Sequence, residues 1–192
     1  MGALIRAGKR SVAATVDEEA TLQSQQYLTF TVANEVFAIA IAAIKEIIEY
    51  RSPTTVPMMP QYVRGIINLR GRVVPVIDLS VRFGRSKSEV SRRTCIVILE
   101  IKEDEQQHDI GVVVDAVSAV LDIADTDVEP PPSFGARLRS DFIGGMGKIG
   151  EKFVIILDID HVLSMEELSI LDDSIAAQAP VLPGPGQNER LS

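Results

Sequence analysis

The stretch from Gly65 to Leu79, GIINLRGRVVPVIDL, constrains the fold of this chain more than any other part of the sequence. Two apolar runs rich in β-branched residues flank a short polar link that contains Arg70 and Gly71. β-Branched residues favour strands, and a glycine in a short link permits the positive φ that a hairpin turn requires. Pro75 cannot donate a ladder hydrogen bond, so its arm should lie at a sheet edge, a barrel corner or a bulge. The stretch therefore predicts a β-hairpin.

The remainder of the chain repeats this order of short apolar strands and polar links. Adding 80 to the residue numbers aligns Asp78 with Asp158, and adding 73 aligns Ile39 with Val112. The two offsets differ because of extra residues in the segment that holds three consecutive prolines from Pro130, where an insertion costs little. A weak internal duplication explains the pattern, and it predicts two lobes of about five short strands, each curled into a small barrel.

This repeat predicts a mainly β domain between two tails, with short helices and one C-terminal helix. Residues 42–50 allow two alternatives, a helix or a strand that follows a single helical turn, since short apolar runs cannot be resolved by periodicity alone. Ser164 and Glu167 form a capping box before an apolar stripe, which predicts the C-terminal helix. The predicted segments are a disordered tail over 1–22, a domain over 23–163 with lobes at about 25–84 and 93–163 joined by a linker at 84–92, a helix over 164–178 and a disordered tail over 179–192.

Composition narrows the classes of protein that this chain can belong to. Tryptophan is absent and the chain holds six Phe and three Tyr, so the core must be built mainly from Val, Ile and Leu. The single cysteine, Cys95, lies in an apolar run as a small hydrophobic residue would, which favours a reducing environment. The longest apolar run, Val36 to Ile44, is far shorter than the ~20 residues of a membrane-spanning helix. We therefore expect a cytoplasmic protein that does not insert into the membrane.

The charges are distributed unevenly along the chain. The net charge is −8, but residues 51–93 hold nine Lys or Arg against two acidic residues. The arginines are scattered among predicted strands without aromatic residues between them, so nucleic-acid binding is the weaker interpretation. Opposite charge on two regions of one chain is more typical of oriented docking between proteins.

Candidate catalytic and metal-binding patterns are weak. The run from Gly144 to Lys148 resembles a phosphate-binding loop but lacks the following Ser or Thr, so its glycines are expected to relieve crowding instead. Asp158 and Asp160 would share one face of a strand while His161 turns away, which disfavours a metal site. The acidic run Asp122, Asp125, Asp127 and Glu129 resembles a calcium-binding loop. It lacks the glycine and the bidentate glutamate that such a loop requires. We expect no enzyme activity, no cofactor and no metal, with a nucleotide-binding enzyme around Lys148 as one alternative and a nucleic-acid-binding barrel as another.

A set of sequence motifs gives a more specific indication of the class of protein. NLRG, an apolar run that contains a proline, and then IDL resemble the signature of the CheW-type chemotaxis coupling proteins. The resemblance extends from about Tyr27 to Leu171 and includes FTVANEVFAIAI, IKEI and GVVVDAVSAV in that order. It implies two SH3-like barrels packed together, in agreement with the two repeats.

The resemblance also implies a function as a scaffold. Proteins of this family couple chemoreceptors to the chemotaxis histidine kinase, contacting the receptor's cytoplasmic hairpin tip and the kinase's regulatory domain. Ring assemblies within receptor arrays at the inner face of the membrane are implied as well. The resemblance assigns no kinase-facing residue here, and the motif positions implied in receptor binding are Ile44, Glu46, Gly65, Asn68, Leu69 and Arg70.

Physical chemistry offers a role for several of these residues. Ile44 and Leu69 are expected to bury against a receptor helix, and Arg70 is expected to pair with Glu46 at the edge of the groove. The alternative is a surface ion pair without function. Ala40 and Ala43 replace residues that are often polar in the family, so a coupling protein of a non-flagellar pathway, such as surface motility or second-messenger control, is the alternative function.

Overall fold

The computed structural model describes residues 23–103, 106–131 and 138–163 of the chain. The predicted tails over 1–22 and 179–192 and the predicted helix over 164–178 lie outside the described residues. The strands within them are β1 (Ser24–Val32), β2 (Glu35–Ala40), β3 (Ile44–Glu49), β4 (Val63–Leu69), β5 (Arg72–Asp78), β6 (Cys95–Glu103), β7 (Gln106–Val114), β8 (Ala116–Ala124), β9 (Val128–Glu129), β10 (Ile143–Ile149) and β11 (Lys152–Leu157). Two short helices, α1 (Leu79–Arg82) and α2 (Ile159–Val162), follow β5 and β11.

These strands form two sheets, so the prediction of a mainly β fold in two parts is confirmed. The five-stranded sheet has the order β3-β6-β7-β5-β4, and the six-stranded sheet has the order β8-β1-β2-β11-β10-β9. No strand pairing joins the first and last strands of either sheet in the described part of the chain, so closure into barrels stays a prediction. None of the helices in the described residues has the length and apolar character of a membrane span.

The predicted hairpin is present as β4 and β5. The residues of its turn, Arg70 and Gly71, both have positive φ, of 52° and 84°, as the tight turns of two-residue hairpins require. Pro75 lies in β5 just before the first residue that pairs with β7, Val76 opposite Gly111, so its missing N–H removes no hydrogen bond from that pair. The segment 42–50 adopts the second of its two alternatives, a single 3-10 turn at Ile41–Ala43 followed by β3.

The predicted internal repeat is visible in the order of the strands. The five-stranded order β3-β6-β7-β5-β4 and the first five positions of the other sheet, β8-β1-β2-β11-β10, correspond strand by strand. The register agrees as well: Val76 pairs with Gly111 in one sheet, and Ile156 pairs with Ala38 in the other, at the offsets expected from the sequence. The two halves of the chain therefore have the same topology.

The two repeats nevertheless exchange their first hairpins. β1 and β2 belong to the six-stranded sheet, whereas β3, β4 and β5 of the same repeat join β6 and β7 in the five-stranded sheet. The predicted division into lobes at 25–84 and 93–163 therefore does not coincide with the division into sheets. The chain changes sheet through two short connections, the 3-10 turn at Ile41–Ala43 and Asp115, and no polar linker marks either of them.

The main hydrophobic core combines residues from both sheets. Aliphatic side chains dominate it, as the composition predicts, but four phenylalanines form a continuous chain of ring contacts within it. Successive ring centroids lie 5.2 to 6.3 Å apart, in the order Phe30, Phe37, Phe83 and Phe142. A second cluster lies on the other face of the five-stranded sheet and includes Ile67, Leu69, Val74 and Ile98. Of the residues that the sequence assigns to receptor binding, Leu69 belongs to this second cluster, whereas Ile44 packs against the main core.

Candidate functional site

The predicted site lies at one end of the five-stranded sheet, where β3 and the β4–β5 turn meet. Glu46 lies on β3 and Arg70 lies in the turn, so the two residues come from opposite edges of the sheet order. Arg70 donates two hydrogen bonds to Glu46, with an Nη1–Oε1 distance of 2.7 Å and an Nη2–Oε2 distance of 2.9 Å. This bidentate geometry is the pairing expected from the sequence, and it connects the two outer strands through side chains.

The backbone conformation of the β4–β5 turn determines where the Arg70 side chain leaves the main chain. Arg70 adopts a left-handed backbone conformation that costs a residue with a Cβ about 1–2 kcal/mol. The exposed Asn68 compensates locally, because its Oδ1 accepts a hydrogen bond of 2.8 Å from the backbone N–H of Gly71. Asn68 therefore stabilises the turn, and the turn directs Arg70 towards Glu46.

The other predicted site residues divide between surface and core. Ile44 is half-buried and packs against the main core, leaving part of its side chain at the surface. Leu69 is only 8% exposed and belongs to the second cluster, so it has little area left to bury against a receptor helix. Gly65 is also buried, and a Cβ built on it would lie 2.1 Å from the carbonyl oxygen of Thr54. Gly65 and Leu69 therefore support the surface rather than form it.

Four charged residues beside this pair were missed by the sequence interpretation. Asp109 lies between two cations: Lys45 Nζ is 3.0 Å from Oδ1, and Arg72 Nη1 is 2.7 Å from Oδ2. Lys45 also lies 3.6 Å from Oε2 of Glu100. These residues belong to β3, β5, β6 and β7, and only the strand register brings them together. The single sequence signal was that Lys45 lies between Ile44 and Glu46 and that Arg72 lies two residues after Arg70.

The residues of the weak catalytic patterns lie in strand β10 and at the start of helix α2. Gly144 to Lys148 lie in β10 rather than in a loop, and a Cβ on Gly147 would lie 2.9 Å from Ile123 Cδ1. The glycines thus permit close packing, as expected. Asp158 accepts a hydrogen bond from the backbone N–H of His161, and its carboxylate lies 2.9 Å from Nδ1 of the same histidine. No group of three or more candidate metal ligands occurs in 23–103, 106–131 and 138–163.

The single thiol gives one prediction about reactivity. Burial, and secondarily the negative charge of Glu49, raise the pKa of the Cys95 thiol above its usual value. A smaller fraction of thiolate is therefore present at a given pH, and the thiolate is the nucleophile. We expect the folded protein to react with iodoacetamide at pH 8 more slowly than the same protein in urea. A rate in the folded state equal to or above the denatured rate would contradict this expectation.

A family model described as a CheW-like domain matches residues 26–167 of the chain. The protein belongs to the CheW-like family. The resemblance identified from the motifs is thereby confirmed. The match covers the whole of both sheets except the first two residues of β1, so the candidate site lies inside the family's domain.

Relatives and a solved structure support the same assignment. The chain is 35% identical to a chemotaxis protein CheW of Klebsiella aerogenes over 149 residues, which cover 78% of this chain and 87% of that protein. It is 32% identical to a chemotaxis protein CheW of Rhizobium meliloti over 143 residues, covering 74% and 90% of the two chains. The crystal structure of the scaffolding protein TtCheW from Thermoanaerobacter tengcongensis superposes with a TM-score of 0.67 at 34% identity, covering 74% of this chain and 94% of that one. The fold and the family are thus established by independent comparisons.

Proposed function

We propose that this protein is a non-enzymatic adaptor in bacterial chemotaxis signal transduction. Its similarity to chemotaxis proteins CheW over most of their length, and to a scaffolding protein of known structure, supports this function. The observation that carries the proposal is the family match across residues 26–167 together with the exposed ion pair of Arg70 and Glu46. The adaptor holds two larger proteins at a fixed geometry and carries out no chemistry itself.

The two proteins that it connects are a chemoreceptor and the chemotaxis histidine kinase. The cytoplasmic hairpin tip of the receptor docks on the end of the five-stranded sheet that carries Ile44, Glu46, Asn68 and Arg70. The regulatory domain of the kinase binds elsewhere on the adaptor, and alternation of the two components builds rings beneath the receptor array. The protein accordingly acts in the cytoplasm, at the inner face of the membrane.

The proposed receptor surface has suitable physical properties. The guanidinium of Arg70 is held flat by two hydrogen bonds to Glu46, yet most of the Arg70 side chain remains exposed to a partner. Ile44 and the exposed Ile47 provide apolar area on β3, and full burial of such a side chain contributes about 1.5–3 kcal/mol. A charged group of fixed orientation beside apolar side chains favours one docking register over others.

Replacing either member of the pair tests this surface. An exposed ion pair contributes about 0–1 kcal/mol to stability, so Arg70→Ala and Glu46→Ala should leave the thermal unfolding midpoint almost unchanged. Both should reduce receptor-dependent activation of the kinase in a reconstituted mixture of receptor, adaptor and kinase. The double variant Glu46→Arg with Arg70→Glu can restore the ion pair, but it exchanges the positions of the cation and the carboxylate that face the receptor. Its receptor-dependent activation of the kinase should therefore stay low.

A matched control comes from a second exposed pair on the same chain. Arg139 donates two hydrogen bonds to Asp141, with distances of 3.2 and 2.6 Å, in the segment that leads into β10 of the six-stranded sheet. Asp141→Ala should leave activation unchanged. Full activation by both Arg70→Ala and Glu46→Ala would show that the receptor binds another surface.

A further inference from the structure

Six charged residues lie together at one end of the five-stranded sheet, and we call them the charged ring. Arg72 and Glu100 lie two residues from Val74 and Ile98 of the second cluster, and Glu46 lies two residues from Ile48, which packs against it. These three charged side chains therefore share the face of the sheet that carries the cluster. Each strand of the sheet, or the turn attached to it, contributes at least one member. The ring consists of Lys45, Glu46, Arg70, Arg72, Glu100 and Asp109.

Cations and carboxylates differ consistently in exposure within the charged ring. The side chains of Lys45, Arg72 and Arg70 are 38%, 55% and 76% exposed. The carboxylates are deeper: the Asp109, Glu46 and Glu100 side chains are 4%, 20% and 28% exposed. The ring has no net charge, but the groups that a partner meets first are cationic. Its outer surface therefore favours an anionic partner.

The six-stranded sheet shows that the fold itself does not require this ring. In that sheet Thr31 pairs with Val36, and Ile149 pairs with Lys152, at the positions where Glu100 pairs with Asp109 and Leu69 pairs with Arg72. Only one of the six equivalent residues, Lys152, is charged. In the order Lys45, Glu46, Arg70, Arg72, Glu100 and Asp109, the equivalent residues are Ser118, Ala119, Gly150, Lys152, Thr31 and Val36. The same topology therefore forms with a single charged side chain at these positions in one sheet and with six in the other.

We propose that the charged ring is a docking surface for an acidic helical segment of the receptor, and that Asp109 is the residue that positions its cations. This inference rests on the proposed function and specifies the chemistry of the partner. Lys45 donates to both oxygens of Asp109, at 3.0 and 3.2 Å, and Arg72 Nη1 lies 2.7 Å from Oδ2 of the same carboxylate. One carboxylate thus holds cations from two strands that are not neighbours in the sheet. Arg70 uses two of its five N–H donors on Glu46, so donors remain for a carboxylate of the partner.

The proposed docking surface is tested by substituting residues of the five-stranded sheet with those found at the equivalent positions of the six-stranded sheet. In the double variant Lys45→Ser with Asp109→Val, the five-stranded sheet carries the residues found at equivalent positions in the six-stranded sheet, Ser118 and Val36. One cation and one anion are removed together, so the net charge of −8 is unchanged. Folding is checked by circular dichroism and thermal unfolding, and binding to the cytoplasmic fragment of a chemoreceptor from the same organism is measured at increasing sodium chloride.

We expect the double variant to bind this receptor fragment about tenfold more weakly than the wild type at low salt. The difference should shrink as salt rises, because screening removes the contribution of the cations in both proteins. Lys152→Ser is the matched control: it removes a cation at the position equivalent to Arg72, outside the ring, and should not change affinity. If the double variant fails to fold, Arg72→Ser removes an exposed member alone and should show the same loss and the same salt dependence.

The outcomes separate this inference from the proposed function. If folded variants bind as tightly as the wild type at every salt concentration, the charged ring is not a docking surface, and the adaptor function stands. A loss of affinity that is independent of salt would show that Asp109 acts only on the structure, and would also overturn the inference. If the wild type fails to bind the receptor fragment at any salt concentration, the proposed receptor function itself is wrong.

Discussion

Replacing Asp78 by alanine is expected to lower the free energy of unfolding by about 3–5 kcal/mol, the usual cost of breaking a buried ion pair. The Asp78 side chain is fully buried, and its Oδ2 lies 2.8 Å from Nη2 and 2.9 Å from Nε of Arg64. It also accepts hydrogen bonds from the backbone N–H of Ser80 and from both the N–H and the Oγ of Ser88. One carboxylate thus begins α1, fixes the segment after it and neutralises a buried arginine.

The internal repeat supplies the control for this prediction. Asp158 is the residue equivalent to Asp78 and begins α2, but Gly144 stands in the position of Arg64 and its partner, His161, is exposed. Asp158→Ala should therefore cost only the helix cap, about 0.5–2 kcal/mol. Urea denaturation of the two variants measures the difference, and equal losses would show that the Arg64–Asp78 pair adds nothing to the cap. Removing both charges, in Arg64→Met with Asp78→Asn, should recover part of the loss.

Replacing Gly65 by alanine is expected to cost about 3 kcal/mol or more, from two separate causes. The φ of Gly65 is 137°, a region in which a residue with a Cβ is strained by about 1–3 kcal/mol. The added methyl would also lie 2.1 Å from the Thr54 carbonyl oxygen, which is held in place because Thr54 and Ile66 exchange backbone hydrogen bonds of 2.8 and 2.9 Å. The backbone must therefore move, and overpacking adds about 1–3 kcal/mol.

Comparison with Gly71→Ala separates backbone strain from the steric clash. Measuring receptor binding of Gly65→Ala in the same experiment tests the role of Gly65. Gly71 has a φ of 84° with nothing within 4 Å of its Cβ position, so alanine there should cost only the left-handed conformation, about 1–2 kcal/mol. Chemical denaturation measures stability, and binding of the receptor fragment is measured in the same samples below the unfolding transition. Gly65→Ala should lose stability first, and binding only in proportion to the unfolded fraction. Lost binding at unchanged stability would instead place Gly65 in contact with the receptor.

Local sequence pattern determined the elements of this protein and its family. Two apolar runs rich in β-branched residues and a glycine in the short link between them predict the β4–β5 hairpin, because both signals depend only on neighbours along the chain. The offset between Asp78 and Asp158 revealed the repeat, since equivalent strands and helix caps need the same residues in each copy. The motif around Arg70 identified the family, and it also indicated the pairing with Glu46 that the structure contains.

The tertiary structure decided which strands share a sheet and which predicted site residues reach the surface. The exchange of hairpins between repeats, the burial of Leu69 and the position of Asp109 between Lys45 and Arg72 all depend on pairing between strands far apart in sequence. A single sequence encodes the period of each strand but not its partner, because the energy of pairing comes from cross-strand contacts that exist only after folding. For that reason the sequence indicated the Arg70–Glu46 pair but not the other four members of the charged ring, which come from β3, β5, β6 and β7.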